Sequence, residues 1–427
     1  MMNNTQTQST QNIAIIGSGI SGLTCGYLLS QKHNVTLFEA NDYLGGHTNT
    51  ENINLGGKNY PVNTGFIVFN DWTYPNFIKL MDQLGVKSEA SEMSFSVRDE
   101  NTGLEYNGTT LNSLFAQRLN VLKPAFIRMI LDILKFNKQT VSALENNEIQ
   151  EGQTLGEFVK KHGYGPMFIN QYIVPMGSAI WSASVDVMMD FPLKFFLQFF
   201  NNHGMLSVDE RPQWRVITGG SKSYVEPIIE NFKQNIHLNT PVRRVKRSAD
   251  HVEITTVNGD AHTFDQVIFA CHSDQALSLL EDASEDENQV LGAIPYQMND
   301  VVLHTDESLM PKKKLAWAAW NYHIPQRHSE HGMVTYNMNI LQNFDDAPET
   351  LLLTLNRSQE IDPNKIIKQY QYAHPVFTLD GMTAQGRHGD ISNHNRTHFC
   401  GAYWFNGFHE DGVNSALRVC ADFNMNL

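Results

Sequence analysis

Ile13-Ala14-Ile15-Ile16-Gly17-Ser18-Gly19-Ile20-Ser21-Gly22 is the stretch whose reading settles the fold. Its apolar start predicts a short buried strand, and Leu23 to Ser30, with Leu23, Tyr27 and Leu28 on one face, predicts a helix. The glycines between them are spaced G-x-G-x-x-G. Gly17 permits a tight turn, Gly19 lets the backbone approach a pyrophosphate, and Gly22 lets the helix pack closely on the strand. The helix then presents its unpaired N–H groups and positive end to the anion, so Ser18, Ile20 and Ser21 join the glycines as binding candidates.

Working outward, a second apolar strand, Val35-Thr36-Leu37-Phe38, ends in Glu39 about 20 residues beyond the glycines. A carboxylate there, with Ala40 beside it, accepts hydrogen bonds from the adenosine ribose and favours FAD or NAD over NADP. Leu44-Gly45-Gly46-His47-Thr48 follows, in place of the helix a nicotinamide-only domain would begin there, and this second glycine pair selects FAD.

The 427-residue length exceeds what one core usually supports, so two joined domains are expected. With 41% hydrophobic and 18% charged residues and a formal net charge of -14, the composition is that of a soluble enzyme and argues against nucleic acid as a partner. The first residues are polar and lack the pattern of a secretory signal. The most apolar later stretch, residues 187–200, is broken by Asp190, Pro192, Lys194 and Gln198. A cytoplasmic protein is expected, at most peripheral to the inner face of the membrane. Cys25, Cys271, Cys400 and Cys420 form no CxxC pair, which predicts reduced thiols, and the 17 histidines show no ligand spacing, so no metal is expected.

Taken in order, these motifs resemble the flavin-containing amine oxidase superfamily, which also holds protoporphyrinogen oxidases and phytoene desaturases. Thr218-Gly219-Gly220-Ser221 looks like its Gly-Gly turn, and Pro241-Val242-Arg243-Arg244-Val245 like the segment whose valine backbone meets the adenine. Residues 265–270 resemble the strand that returns to the cofactor domain. Residues 399–413 resemble the closing motif, where a helix beginning near Gly412 would aim N–H groups of Asp411, Gly412 and Val413 at the cofactor.

The resemblance implies non-covalent FAD in an α/β fold, a Rossmann-type (GR2-like) FAD-binding domain with an inserted α+β substrate domain. Residues 11–75, 210–290 and 390–427 are assigned to the first, and 76–209 and 291–389 to the second.

Gly45-Gly46-His47-Thr48, Thr64-Gly65-Phe66-Ile67-Val68-Phe69-Asn70, Met93-Ser94-Phe95-Ser96-Val97 and Trp320-Asn321-Tyr322 are similar to a bacterial subgroup of amine-oxidase-like proteins. Its members are often encoded beside cyclopropane-fatty-acid-synthase-like methyltransferases. That similarity implies a lipid or fatty-acyl substrate, unsaturated or methyl-branched, with furan fatty acid formation as one pathway and a lipid methyltransferase as partner. Thr64, Gly65 and Phe66 join the cofactor-binding candidates.

Three departures weaken an amine reading. His47 replaces the usual arginine and can be neutral or charged near neutral pH. Asn299 or Asp300 stands where a lysine is common near flavin N5, and Phe408 replaces one tyrosine of the aromatic sandwich, with Phe377 as its candidate partner. The candidate pocket and catalytic residues are His47, Phe66, Trp320, His374, Tyr403 and Phe408. The preferred reading is hydride removal from an apolar substrate. An amine or polyamine oxidase and a flavin-bearing accessory subunit of a lipid-modifying complex are the alternatives.

Four further stretches carry expectations. Residues 125–145 predict an amphipathic helix with Phe126, Met129, Ile130, Ile133 and Leu134 on one face and Arg128, Asp132, Lys135 and Lys138 on the other, either touching a membrane or packed on the insert's own core. Residues 191–200, with Met176, Met188, Met189 and Met205, suit an acyl tunnel or a core. His323, His328 and His331 read as a solvated loop, and Glu281 to Asn288 as the charged loop by which the chain leaves the FAD domain.

Overall fold

A computed structural model describes residues 9–207, 210–326 and 331–427. Strand β1 (Asn12–Ile16) is buried along Ile13–Ile16 and pairs in parallel with β2 (Asn34–Phe38) on one side and with the strand Gln266–Phe269 on the other. Ile236–His237 and Thr397–Phe399 complete a five-stranded sheet at its two edges. Helix α1 (Ile20–Leu29) packs between this sheet and the helix His409–Asp422. This is the Rossmann-type architecture expected of a dinucleotide-binding domain.

The second large sheet has seven strands, in the order 366–375, 296–304, 352–355, 334–337, 320–324, 95–99 and 105–107. Its neighbours pair antiparallel except Trp320–Ile324 with Phe95–Asp99, which run parallel. Over this sheet lies a helical layer whose core holds Phe126, Phe136, Phe168, Phe191, Phe196 and Phe200. The mixed sheet with its helices is the α+β substrate side.

Two expectations need correction. His323 lies on the strand Trp320–Ile324 and is buried, because the polar run that suggested a loop includes a strand end shielded by neighbouring elements. Gln297 contacts His331 at 2.6 Å, and His328 lies outside the described residues. The stretch Glu281–Asn288 is partly helical: the helix Glu285–Gly292 starts with a capping box, in which Ser284 accepts from the Glu287 N–H and the Glu287 carboxylate from the Ser284 N–H.

Glu287 also clamps the domain. The Arg247 guanidinium, almost fully buried at the end of the strand Val242–Arg247, donates to Glu287 Oε2 at 2.9 Å and to Asp282 at 3.1 Å.

Helix α4 (Pro124–Glu145) forms as its apolar spacing predicts, with Phe126, Met129 and Phe136 in the core. Two side chains exchange faces relative to expectation. Asp132 turns inward and accepts from the Gly165 N–H at 2.8 Å, while Leu134 faces solvent. The four cysteines are free, Cys25, Cys400 and Cys420 being buried. Among the described residues no helix is long and apolar enough to cross a membrane.

Candidate active site

A single cavity of about 1190 Å³ runs from the first glycine turn to the substrate sheet. It exceeds the roughly 300–1,000 Å³ of an ordinary ligand pocket, so it can take a large cofactor and a second molecule.

At its first end the sequence explains the geometry directly. α1 begins after Gly19 with no side-chain cap, so its leading N–H groups are left for a ligand. A Cβ on Gly19 would meet nothing within 4 Å, whereas one on Gly22 would lie 2.1 Å from the Gly17 carbonyl oxygen. The first is open cradle; the second is tight packing. Glu39 Oε2 accepts from the Ser18 N–H at 2.9 Å and the Ser18 hydroxyl at 2.5 Å, and Oε1 from the Asn41 N–H at 2.9 Å. The carboxylate is thereby fixed at the wall, with Ala40 and Val242 beside it.

The middle of the cavity gathers histidines. His47 lies 4.8 Å from the Tyr372 ring, 5.5 Å from His374 and 6.5 Å from His272, centre to centre. Burial, reinforced by the neighbouring imidazoles, holds His47 well below its ordinary value, and burial holds His374 down to about 4. Both are therefore neutral near pH 7, which resolves the two states the sequence leaves open. His47 Nε2 is buried without a hydrogen bond among the described residues. Opposite, His409 stacks on Phe66 at 3.5 Å and shares Nε2 with the Thr48 hydroxyl at 3.0 Å and the Tyr224 hydroxyl at 3.3 Å.

Other candidates fall on or behind the wall. Gly17 to Ser21, Gly45, Gly46, Thr64, Gly65 and Phe66 line the cavity, as do Trp320, His374, Tyr403 and Phe408. Thr48 and Gly22 stand behind it. The closing helix starts at His409, three residues before the expected Gly412, so Asp411, Gly412 and Val413 lie inside its first turns. Asp411 accepts from the Phe408 N–H at 2.9 Å, Gly412 packs against Ile20, and Val413 is core. Burial holds the Asp411 carboxyl up to about 7. Glu410 is also structural: it accepts from the Asn76 and Phe77 N–H groups at the start of α2 (Pro75–Gln83).

On the strand Tyr296–His304 it is Tyr296, Met298 and Val301, rather than Asn299 or Asp300, that line the cavity. Asn299 is buried behind it, 3.2 Å from His374 Nδ1, and Asp300 binds Ser358 and Gln371. Phe377 and Phe408 both line the cavity, yet each stacks on a different phenylalanine of the helix Leu193–Asn202, Phe195 and Phe199 respectively. The sequence reading missed Tyr43, Tyr172, Trp181, His203, His272, Tyr372 and His409. Only His272, two residues past the return segment 265–270, and His409, beside Phe408, carried a local signal.

The far end is apolar, walled by Met176, Ile180, Trp181, Phe199, Met205, Trp320, Tyr336, Leu353, Leu355 and Phe377. Of the residues 191–200, Phe199 serves the cavity, while Phe191, Phe196 and Phe200 are core. The lining carries three full charges among the described residues: Glu39 at the adenosine end, and Glu92 and Arg211 on exposed rims.

The uncapped helix start, the open Gly19 cradle and the fixed Glu39 fit the ADP half of FAD, and the broad middle admits its ring system. Fold and site define an FAD-dependent oxidoreductase.

Residues 20–424 match the family of flavin containing amine oxidoreductases, and the chain belongs to that family. No curated protein sequence matches it. Among solved structures, a CLA-producing fatty acid isomerase from P. acnes superposes with a TM-score of 0.68 at 16% identity, covering 97% of this chain and 98% of that one. Cyclohexylamine oxidase from Brevibacterium oxydans gives 0.67 at 14% identity, covering 97% and 100%, and a putrescine oxidase variant gives 0.68 at 13%, covering 97% and 99%. Identities this low speak for the shared fold.

Proposed function

We propose that this oxidoreductase removes a hydride from an apolar substrate, a lipid or fatty-acyl chain of the unsaturated or methyl-branched kind, leaving a double bond or an oxidised product. The observation that carries the reading is the apolar far end of the cavity, where the one carboxylate nearby, Glu92, stands on the exposed rim and not in the wall, and no lysine lines the wall among the described residues. A cation entering there would lose its hydration without compensation, whereas a hydrocarbon chain gains about 0.8 kcal/mol per buried methylene. The resemblance of the Gly45–Thr48 and Thr64–Asn70 segments to proteins encoded beside lipid methyltransferases supports the same substrate class.

Bound FAD supplies the two-electron acceptor. The chain's own residues hold it and shape the rest: Glu39 and the start of α1 fix the ADP end, and Trp181, Phe199 and Phe408 keep water from the reacting carbon. Where a proton leaves the neighbouring carbon, a neutral imidazole can accept it, and His47 offers an Nε2 with no protein partner.

The test is anaerobic stopped-flow absorbance with phospholipid-borne unsaturated or methyl-branched acyl chains and, separately, polyamines. Bleaching of the oxidised flavin band by lipid alone is the expected result. Bleaching by polyamine alone would overturn the reading in favour of an amine oxidase. Bleaching by neither would favour the accessory-subunit role beside a lipid methyltransferase.

A further inference from the structure

Large apolar side chains left in water recur on adjoining elements of the substrate side. Leu119 and Leu122, on the short 3-10 helix Arg118–Leu122, are 73% and 76% exposed. Leu111, which opens helix α3 (Leu111–Leu114), is equally bare, and Leu131 and Leu134 continue the series on the outer face of α4. Single exposed leucines are ordinary; a run of them on adjoining elements is not. The elements are fixed in place. The Arg118 guanidinium donates to the carbonyls of Asn112 and Phe115, both at 3.1 Å, which ties the 3-10 helix to α3, and α4 follows directly.

Charge on this face runs against the rest of the molecule. The chain carries -14 overall, yet from Tyr106 to the end of α4 the bases are Arg118, Lys123, Arg128, Lys135 and Lys138, against two acids: Asp132, turned onto Gly165 and 3.7 Å from Arg128, and Glu145 at the far end of the helix. Among the described residues the ammonium groups of Lys123 and Lys138 have no hydrogen-bond or ion-pair partner. Packed against α3 is the turn Lys314–Ala316, where exposed Lys312, Lys313 and Lys314 stand next to exposed Leu315, with Lys314 3.8 Å from Glu307.

The face also adjoins the cavity. Gly108 and Thr109 are exposed, line the cavity, and lead straight into Thr110, whose hydroxyl caps α3.

We propose that this face docks on an anionic lipid bilayer, its lysines among the headgroups and its leucines in the acyl region, with the opening at Gly108–Thr109 turned to the membrane. Side chains three-quarters exposed protrude, which suits insertion into fluid hydrocarbon rather than fitting against a preformed protein surface. Basic residues flanking them match phosphate-bearing headgroups. The face differs from the one the helical periodicity of α4 points to, since Phe126 and Met129 are core. The inference goes beyond the substrate reading, because docking is measured without turnover.

The test is flotation of the FAD-loaded full chain with vesicles of phosphatidylglycerol and phosphatidylethanolamine, and with phosphatidylcholine alone. Binding to the anionic vesicles, weakening as salt rises, is expected. Leu119→Glu with Leu122→Glu should lower the vesicle affinity at least about tenfold per leucine while flavin spectrum and melting temperature stay unchanged. Lys312→Glu with Lys313→Glu should remove the preference for anionic lipid. A control at an exposed apolar side chain far from this face in the sequence, Val257→Glu in the turn after the strand Val252–Thr256, should change nothing. Absence of flotation, equal binding to phosphatidylcholine, or binding undiminished in the leucine variant overturns the proposal. So does a dimer in sedimentation equilibrium that the leucine variant dissolves, which would make a second copy the occupant.

Discussion

Gly19→Ala and Gly22→Ala, three residues apart on one turn, should fail in opposite ways. A methyl on Gly22 would stand 2.1 Å from the Gly17 carbonyl oxygen and 3.1 Å from the Ala270 Cβ, so α1 must move by more than an ångström away from β1. Overpacking of that kind costs about 1–3 kcal/mol, which in a chain this long lowers the apo-protein melting temperature by a few degrees, at about 2 °C per kcal/mol. Gly19 has φ -62 and no neighbour within 4 Å of its virtual Cβ, so alanine there leaves the apo-protein unharmed or up to about 1 kcal/mol more stable. The same methyl occupies the space over which the pyrophosphate passes. Loss of one charge-assisted hydrogen bond, about 1.5–3 kcal/mol, weakens FAD binding by about tenfold to a hundredfold. The assay pairs thermal melting of the apo-protein with a fluorescence titration of FAD. Unchanged FAD affinity in Gly19→Ala, or an apo melting loss equal to that of Gly22→Ala, would refute the placement of the pyrophosphate.

Three other outcomes follow from the same structure. Glu287→Ala leaves the Arg247 guanidinium buried without its main partner and should cost about 3–5 kcal/mol in denaturant unfolding, while Arg247→Met with Glu287→Leu recovers most of it. Met176→Lys places a charge in the apolar end of the cavity; FAD should still bind, and reduction by acyl chains should slow about a hundredfold or more in stopped flow. Burial holds His203, His304, His374 and His388 down to about 4 and His323 and His409 to about 3, against an ordinary 6.5. The unfolded chain therefore binds protons that the folded chain refuses, so apo stability should be flat above pH 6.5 and fall as pH drops from there toward 4. Asp411, held up to about 7, and Glu410, also raised by burial, favour the folded state at the acid side of their own windows, two groups against a larger number of imidazoles. A denaturant midpoint that is level or rises between pH 6.5 and 4.5 would contradict the burial of these imidazoles.

The cofactor half of the site was legible because its signals are local. Strand, glycine spacing and the acid at Glu39 all fall within one short unit, and each glycine has a steric reason that a sequence can state. The substrate half was less so. Trp181, Phe199, Trp320 and Leu353 meet across elements far apart in the chain, and nothing in any one segment distinguishes a cavity wall from a core. Phe199 and Phe196 illustrate this, being one helical turn apart with one facing the cavity and the other sealed in the core. Periodicity also erred where a polar group is drawn inward by a backbone donor, as Asp132 is by Gly165. The histidine stretch misled in the same way, since polarity alone cannot reveal that His323 lies on a strand covered by its neighbours. The Ser284–Glu287 capping box, by contrast, was readable, and its spacing outweighs the charge density that suggested a loop.

The order of strands in the five-stranded sheet has a consequence for synthesis. β1 sits beside a strand that emerges from the ribosome some 250 residues later, and that strand waits in turn for Thr397–Phe399. Pairings so distant in sequence are slow to close. The dinucleotide turn can fold early with β2, but the wall formed by Gly401 to His409 cannot exist until that segment, almost 400 residues further on, has been made. Loading of FAD thus waits for the Gly401–His409 segment, and a flavin-starved cell would accumulate a chain whose glycine turn and closing wall lack the ligand that lies between them.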